Sequence, residues 1–359
     1  MSRFKLALQD EHRSNLIVSV LAIILGFLAG LLILLITGLN PLDMFIAMGR
    51  GVFGITDAGF NIRYIGEFLV TVMPITLTGL SVAFAFQAGL FNIGAEGQMI
   101  VGGYAAVFVA LVVKLPIGLH VVVAVLAAAV AGALWGFVPG LLKAKFNINE
   151  VVVTIMMNYT AMYTTNYLLK LIPGSSLTKT ADIPQSASLS SSFLSSLTNQ
   201  SRLNWGIIIV ILAIIIFKII MEKTTFGYEL RAVGANRDAS RYAGMKVSRN
   251  IILSMSIAGA FAGLAGAVMT LGTFGFGRVL TSFDGYGSDG IAVALIGGNT
   301  ALGSLFGGVL LGALQSAQTI MQVYGIPKEI AVIVSAMIIV LIAMKNGLKD
   351  ILKRIGGIK

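Results

Sequence analysis

Long apolar runs separated by short polar connections dominate the chain. Hydrophobic stretches cover residues 16–37, 66–88, 118–142 and 205–221, and similar runs continue to residue 345. A helix needs about 20 apolar residues to cross the hydrocarbon layer of a bilayer, and several of these runs have that length. The pattern therefore predicts an all-α, polytopic transmembrane helical bundle with about eight to ten membrane spans.

The remaining runs are less uniform in length. Further spans are predicted at 98–113, 150–172, 250–271, 301–323 and 328–345. The apolar part of 42–53 is too short to span and is expected to form a surface or re-entrant helix on the outer side. The short piece 288–298 either crosses, which gives ten crossings, or is re-entrant together with 301–323, which gives eight.

Composition agrees with a membrane location. Of the 359 residues, 57% are hydrophobic and 11% are charged, whereas soluble domains carry about 25% charged residues. The 42 glycines allow close approach of helices in a membrane. There is no cysteine, so the chain cannot form a disulfide or a metal thiolate.

The distribution of basic residues predicts the orientation. About two thirds of the 25 Lys and Arg residues fall in polar segments assigned to the inside, which fits the positive-inside rule better than nucleic-acid binding. The layout has a cytoplasmic N-tail at 1–15, a transmembrane domain at 16–345 and a cytoplasmic C-tail at 346–359. Within that domain lie an external Ser/Thr-rich loop at 174–204 and a cytoplasmic loop at 222–249.

The cytoplasmic loop contains the largest basic segment of the chain, at 223–246, between two apolar runs. Its middle is typical of a short helix, with Gly234 as a predicted break and Asn236 as the N-cap of a turn that starts at Arg237. Gly244 is the predicted stop. We interpret this segment as a docking element for a soluble partner; the alternative is a solvated loop that only satisfies the charge rule.

No catalytic or metal-binding pattern is visible. The sequence lacks paired histidines at metal spacing and a Gly-x-x-x-x-Gly-Lys-Ser/Thr motif, so it cannot bind ATP through a P-loop. His120 opens an apolar run and is expected at the solvated outer interface. If ATP drives this protein, another polypeptide must hydrolyse it.

A second set of candidates consists of polar and aromatic residues in or near the spans. Glu96 is either a pathway residue or a carboxylate that caps the helix starting near Gly97. The side-chain amides of Asn92, Gln98, Asn158 and Asn299 either bond a neutral polar solute or bond each other between helices. Aromatic rings such as that of Phe91 either stack on a solute or pack against neighbouring helices. The predicted pathway residues are Phe91, Asn92, Glu96, Gln98, Asn158, Asp289 and Asn299.

A short motif occurs twice. Gly-Ala-Glu-Gly at 94–97 is similar to Gly-Ser-Asp-Gly at 287–290, and each precedes apolar residues and a glycine pair. Opposite placement of the two copies in the membrane indicates an inverted repeat, which puts a substrate site near the midplane. The alternative is two unrelated tight turns.

Three stretches resemble a known family. Phe-Asn-Ile-Gly-Ala-Glu-Gly-Gln at 91–98, Phe-Gly-Tyr-Glu-Leu-Arg-Ala-Val-Gly-Ala-Asn at 226–236 and Tyr-Ala-Gly-Met at 242–245 are similar to membrane permeases of bacterial ABC importers. The similarity is to the branched-chain amino acid and ribose permease family, most of all its nucleoside and simple-sugar branch. It covers about 66 to 345.

The resemblance implies partners. These are a pair of ABC ATPase subunits that bind ATP and Mg, a second permease subunit, identical or different, and an extracytoplasmic solute-binding protein. It implies no cofactor on this chain, which contacts membrane lipids and no nucleic acid. It also implies that the basic segment is a coupling helix, with Phe226, Gly227, Glu229, Arg231, Ala232, Gly234, Asn236, Ala239 and Gly244 as coupling residues. The Glu-Ala-Ala signature of many importer permeases is absent, which leaves the docking register open.

The prediction is a non-enzymatic permease subunit in the bacterial cytoplasmic membrane. It moves a small polar solute inward. A neutral, hydroxylated solute is favoured over an ion because the spans hold few charges, and the resemblance implies a nucleoside or simple sugar. The alternatives are a branched-chain amino acid permease of the same type, an ion-coupled secondary carrier, and a membrane scaffold that recruits a soluble protein.

Overall fold

The computed structural model describes residues 11–56 and 59–344, with positions 347 and 349 beyond them. Most of the predicted N-tail and C-tail therefore lies outside the described residues. The described part holds fourteen α-helices and one two-stranded hairpin, with strands β1 (Ile55–Thr56) and β2 (Gly59–Phe60). The helices are α1 (Glu11–Ile36), α2 (Pro41–Phe53), α3 (Ile62–Gln87), α4 (Ala95–Val112), α5 (Leu119–Phe146), α6 (Glu150–Lys170), α7 (Ser192–Leu197), α8 (Gly206–Lys223), α9 (Thr225–Ala235), α10 (Arg237–Tyr242), α11 (Val247–Ala267), α12 (Tyr286–Ile296), α13 (Ala301–Val323) and α14 (Lys328–Ala343).

The chain divides into two compact units, one at 61–312 and one formed by 1–60 with 313–359. In the smaller unit α1 packs along α14, and a Cβ at Gly26 would meet the Ile338 side chain. The predicted surface helix at 42–53 is α2, which starts after the Asn40 cap and ends at Gly54, whose φ of 69° is left-handed. The larger unit holds the elements discussed below.

Five of the described helices are long and apolar enough to cross a bilayer: α3, α4, α5, α13, and α11 with the π-helical turns that extend it to Phe274. The expected helical membrane bundle is confirmed. The count of eight to ten crossings stays a prediction, because the other apolar helices are shorter, carry more charge or are less hydrophobic.

Helix α5 shows how the bundle packs. Its buried residues recur every fourth position from His120 to Gly140, and most are alanine or glycine. This narrow stripe faces α11, where a Cβ at Gly132 would lie 2.2 Å from the Gly259 carbonyl oxygen. Small residues thus let the two backbones approach closely, which is how apolar helices associate where hydrophobic driving force is weak.

His120 itself corrects a prediction. It is buried instead of solvated, because its ring nitrogens contact Ser186 Oγ at 2.9 Å and the Val109 carbonyl oxygen at 3.2 Å. Ser186 belongs to the predicted external loop, which packs on the bundle. Two of its amides bond the π-helical extension and the segment after it, from Leu189 to the Leu271 oxygen and from Thr180 to the Gly277 oxygen.

Helix α12 is only half a span. Its 11 residues cover about 16 Å at 1.5 Å per residue. It starts beside the middle of α3, where Thr78 Oγ1 donates to the Tyr286 carbonyl at 2.8 Å, and its C-terminal turn lies beside Gln87 at the end of α3. The non-helical chain at 275–285 therefore reaches the middle of the bundle, which a membrane tolerates only inside protein or beside a water-filled cavity.

Candidate functional site

The basic segment folds into two short helices joined at Asn236. Thr224 caps α9 by accepting from the Gly227 amide at 3.0 Å. Asn236 has an extended backbone, and its Oδ1 accepts from the Asp238 and Ala239 amides at 3.0 Å each, so the predicted cap of α10 is confirmed. Gly244 follows α10 with φ of 81°, as its predicted stop requires.

The predicted break at Gly234 is wrong. Gly234 lies within α9, and the break occurs two residues later at Asn236. The glycine is needed for close approach, because a Cβ there would lie 2.3 Å from the Gln87 carbonyl oxygen. Helix α9 thus rests directly on the end of α3, and Arg237 Nη2 adds a 3.2 Å bond to the Gly89 carbonyl.

Besides Gly234, the other eight predicted coupling residues divide by whether they contact the bundle. Glu229 accepts from Asn250 at 2.8 Å, Arg231 donates to the Met221 carbonyl, and Phe226 and Gly227 pack inward, so these four fix the helix pair to the bundle. Ala239, Asn236 and Gly244 lie on the exposed side, while Ala232 is half-buried. The sequence-based set omitted Tyr242, which is 97% exposed.

A connecting segment, residues 87–96, leads from the helix pair to α12. At one end Gln87 Nε2 donates to the Asn299 carbonyl at 2.6 Å, just after α12. At the other end Glu96 accepts from the Gly285 amide at 3.1 Å and from the Gly287 amide. The segment therefore contacts α12 at both of its ends.

Glu96 is a cap, but not of its own helix. Its buried carboxylate satisfies amides at the N-terminus of α12, where a negative charge is favourable. Glu96 does lie in the first turn of α4, but its carboxylate caps α12 and not the helix starting near Gly97, and its role in the pathway stays a prediction. The two similar motifs meet here, since a Cβ at Gly287 would lie 2.6 Å from the Glu96 nitrogen. An inverted repeat stays a prediction.

Buried amides hold the connecting segment together. Asn92 Nδ2 donates to Gln98 Oε1 at 2.9 Å, and Gln98 Nε2 donates back at 3.2 Å. Asn158 on α6 accepts from the Gly97 amide at 2.9 Å and donates to the Ile93 carbonyl at 3.0 Å. These three side chains bond protein in this conformation, and their role as solute contacts stays a prediction.

The other pathway candidates lie nearby. Phe91 is half-buried against Phe86, with ring centroids 5.1 Å apart. Asp289 lies in the first turn of α12, and Asn299 follows α12 with a left-handed φ of 58°. Four of the seven predicted residues therefore lie in the connecting segment or in α12. Of the other three, Asn158 and Gln98 are bonded to the connecting segment, and Asn299 follows α12.

A cavity of about 50 Å³, large enough for a few water molecules, lies between α4, α6, α11 with its π-helical extension, and the segment 277–284. An Arg278–Asp284 ion pair lies at its edge, and the Arg278 guanidinium sits 3.8 Å from the Phe274 ring centroid. None of the seven predicted pathway residues lines it. The sequence signal that could have pointed to it was the charged residues of the glycine-rich loop 272–288. The lining residues are Met99, Ile100, Gly103, Tyr104, Val107, Thr165, Leu169, Gly266, Met269, Thr270, Phe274, Gly277, Arg278, Leu280 and Asp284.

Comparisons with known proteins define the class. Residues 64–343 match the family model described as the branched-chain amino acid transport system / permease component. The chain belongs to this family of ABC transporter permeases, and it is a multi-pass membrane permease subunit.

Particular relatives place it further. The chain is 48% identical to the guanosine ABC transporter permease protein NupP of Bacillus subtilis, over 96% of its own length and 98% of the relative's. It is 40% identical to the nucleoside ABC transporter permease protein NupB of Lactococcus lactis, over 98% and 96%. It is 31% identical to the glucose ABC transporter permease protein TsgB13 of Haloferax volcanii, over 89% and 85%. No solved structure gives a significant match.

Proposed function

We propose that this chain imports nucleosides as one half of a translocation pore. The observation that carries the proposal is its near full-length similarity to a guanosine permease and a nucleoside permease. The buried amides and the small number of charges in the spans also suit a neutral, hydroxylated solute better than an ion.

In this proposal a separate pair of ABC ATPase subunits, which bind ATP and Mg, hydrolyses the ATP that drives transport. The complete transporter also contains this chain, a second permease subunit and an extracytoplasmic solute-binding protein. Both termini and the helix pair α9–α10 face the cytoplasm, where the ATPases act. The exposed side of α10, with Ala239, Arg241 and Tyr242, is the surface that the ATPase would grip.

The contacts of the connecting segment suggest how movement is transmitted. A displacement of α10 would reach Gly89 through Arg237, and a displacement of α9 would reach Gln87 through the close contact at Gly234. Gln87 and Glu96 would then carry the motion to the two ends of α12. The half-helix would tilt next to the cavity that Arg278 and Asp284 border, which opens or closes a path for solute.

The test is transport by the assembled protein. Proteoliposomes that contain this chain, the ATPases, the second permease subunit and the binding protein should take up labelled guanosine in the presence of ATP. Uptake of labelled leucine but not guanosine would refute the proposal. This chain reconstituted alone should move no solute, because the proposed permease depends on the ATPases. An ion-coupled carrier, in contrast, would transport solute without ATP.

A simple sugar is the second candidate solute, favoured by the similarity to a glucose permease. The same proteoliposomes given labelled glucose distinguish the two. If labelled glucose is taken up, unlabelled guanosine does not inhibit that uptake, and guanosine itself is not taken up, then the sugar is the transported class.

A further inference from the structure

The exposed surface of helix α6 is more polar than a lipid-facing helix surface is expected to be. Helix α6 has 21 residues, long enough to span, but it is too polar to be counted among the apolar spans. Its large exposed side chains are Val152, Ile155 and Met156 in the first half of the helix and then three tyrosines at helical spacing. Tyr159 is 48% exposed, and Tyr163 and Tyr167 are both 65% exposed. Residues four apart lie on one face, so the rings form a ladder along the helix.

Other long helices of this unit differ. The exposed side chains of α5 and α8 that are large and hydrophobic are aliphatic or phenylalanine throughout, which suits acyl chains. On α5 they are Leu119, Val122, Leu126, Val130, Leu134, Phe137, Val138 and Phe146, and on α8 Ile208, Ile211, Leu212, Ile215, Ile216 and Ile219.

The tyrosine hydroxyls need a partner that the described chain does not supply. None of the three has a hydrogen bond to another described residue, and an unbonded hydroxyl in hydrocarbon is costly. Tyrosines collect in belts where membrane meets water, which accounts for Tyr167 near the end of α6. It does not account for Tyr159 and Tyr163 near the middle of the helix.

Two asparagines of α6 hold the helix against the site, and one of them, Asn166, lies on the tyrosine side of the helix, three residues from Tyr163. Asn158 bonds the connecting segment, and Asn166 bonds both backbone groups of Leu280, donating at 2.7 Å and accepting at 2.8 Å. The ladder continues onto the same loop, because the Tyr159 and Phe283 rings meet edge to face with centroids 4.9 Å apart. Asp284, which borders the cavity, follows Phe283 directly.

We propose that this face of α6 is a wall of the water-filled solute pathway, and that its tyrosine rings stack on the flat ring of the solute as it passes. This rests on the proposed function for the identity of the solute as a nucleoside. Water in the pathway satisfies the hydroxyls, and a nucleobase offers a π-face that stacks on an aromatic ring whatever the base.

Thiol labelling tests the proposal, since the chain has no cysteine of its own. Tyr163→Cys is compared with Leu134→Cys, a 64% exposed position near the middle of α5, in membrane vesicles that hold the assembled transporter. A charged, membrane-impermeant methanethiosulfonate reagent should modify the Tyr163→Cys chain and leave the Leu134→Cys chain unmodified, as read from the mass of the isolated chain. Absence of labelling at both positions overturns the proposal, because it means lipid or dry protein covers α6.

Solute contact has its own readout. Guanosine should slow the labelling of Tyr163→Cys, and Tyr163→Leu should lower guanosine uptake by about 5-fold or more while Tyr163→Phe retains it. Labelling without protection, together with full uptake by Tyr163→Leu, overturns the contact with the solute. Failure of the unsubstituted transporter to import guanosine is a different result: it refutes the nucleoside assignment, and the labelling comparison still decides whether this face is wet.

Discussion

Single residues of this permease act through contacts that are distant in sequence. Gly234 and Gln87 are about 150 positions apart, yet α9 can contact the end of α3 only because Gly234 has no side chain. Glu96 and Gly287 are also far apart in the sequence, yet the Glu96 carboxylate caps α12, the helix that contains Gly287. Local chemistry was readable, and Asn236 was predicted as a cap because its partners lie two and three residues ahead. The misreading of Gly234 and the misplaced cap of Glu96 have one cause: a sequence does not show which helix ends meet.

Replacement of Gly234 by alanine should uncouple the transporter. The new Cβ would lie 2.3 Å from the Gln87 oxygen, so α9 must move away from α3. We expect guanosine uptake to fall about 10-fold or more, with ATP hydrolysis less affected, when both are measured in proteoliposomes. Ala235→Ser, one residue on and exposed, is the matched control and should retain uptake. Normal uptake by Gly234→Ala would contradict the role of this contact.

Removal of the Glu96 carboxylate should destabilise the protein. Glu96→Ala leaves two amides of the α12 N-terminus without this acceptor, the buried one of Gly287 and the part-buried one of Gly285, and a buried amide without a partner costs about 1–3 kcal/mol. Glu67→Ala is the comparison. Its carboxylate also accepts from a backbone amide, that of Arg202, but its pair with the Arg202 guanidinium is partly exposed and such pairs contribute about 1 kcal/mol or less. Thermal unfolding of the purified proteins in detergent measures both. A smaller loss for Glu96→Ala than for Glu67→Ala would argue against the capping role.

At the scale of elements, hydrophobic runs located the helices well. The predicted spans at 118–142 and 205–221 became α5 (Leu119–Phe146) and α8 (Gly206–Lys223). For α12 the pattern predicted a short apolar piece at 288–298 and left open whether it crosses. The structure has an 11-residue helix there, after the partly buried loop 275–285. The pattern was silent on the cavity, because α4, α6, α11 and the loop 275–285 contribute lining residues that are far apart in the chain.

The pairing of α5 with α11 depends on the stripe of small residues. Gly132→Val would place side-chain atoms where the Gly259 carbonyl now lies at 2.2 Å, so the two helices must separate. We expect loss of folded protein in size-exclusion chromatography after detergent extraction. Leu134→Val, on the exposed side of the same helix turn, should elute as the unsubstituted protein does. Equal elution of both variants would show that the stripe is dispensable.

The whole molecule has its functional elements in one unit, residues 61–312. The helix pair α9–α10, the connecting segment 87–96, the half-helix α12 and the cavity form an unbroken series of contacts within it. In the proposed mechanism, work done on the exposed helix pair can therefore reach α12 and the cavity within this unit. The proposed coupling to a separate ATPase requires such a route.

Capture of the ATPase should therefore depend on the exposed tip of α10. Tyr242 is almost fully exposed in this chain, and a tyrosine buried at an interface commonly contributes about 2 kcal/mol or more, which is roughly 30-fold in affinity. Tyr242→Ala should lower the amount of ATPase that copurifies with the permease and reduce uptake in parallel. Leu177→Ala, an exposed apolar residue of the external loop, should change neither. Full ATPase retention by Tyr242→Ala would mean that the ATPase grips another part of the helix pair, and the search would then move to the exposed residues of α9, beginning with Tyr228.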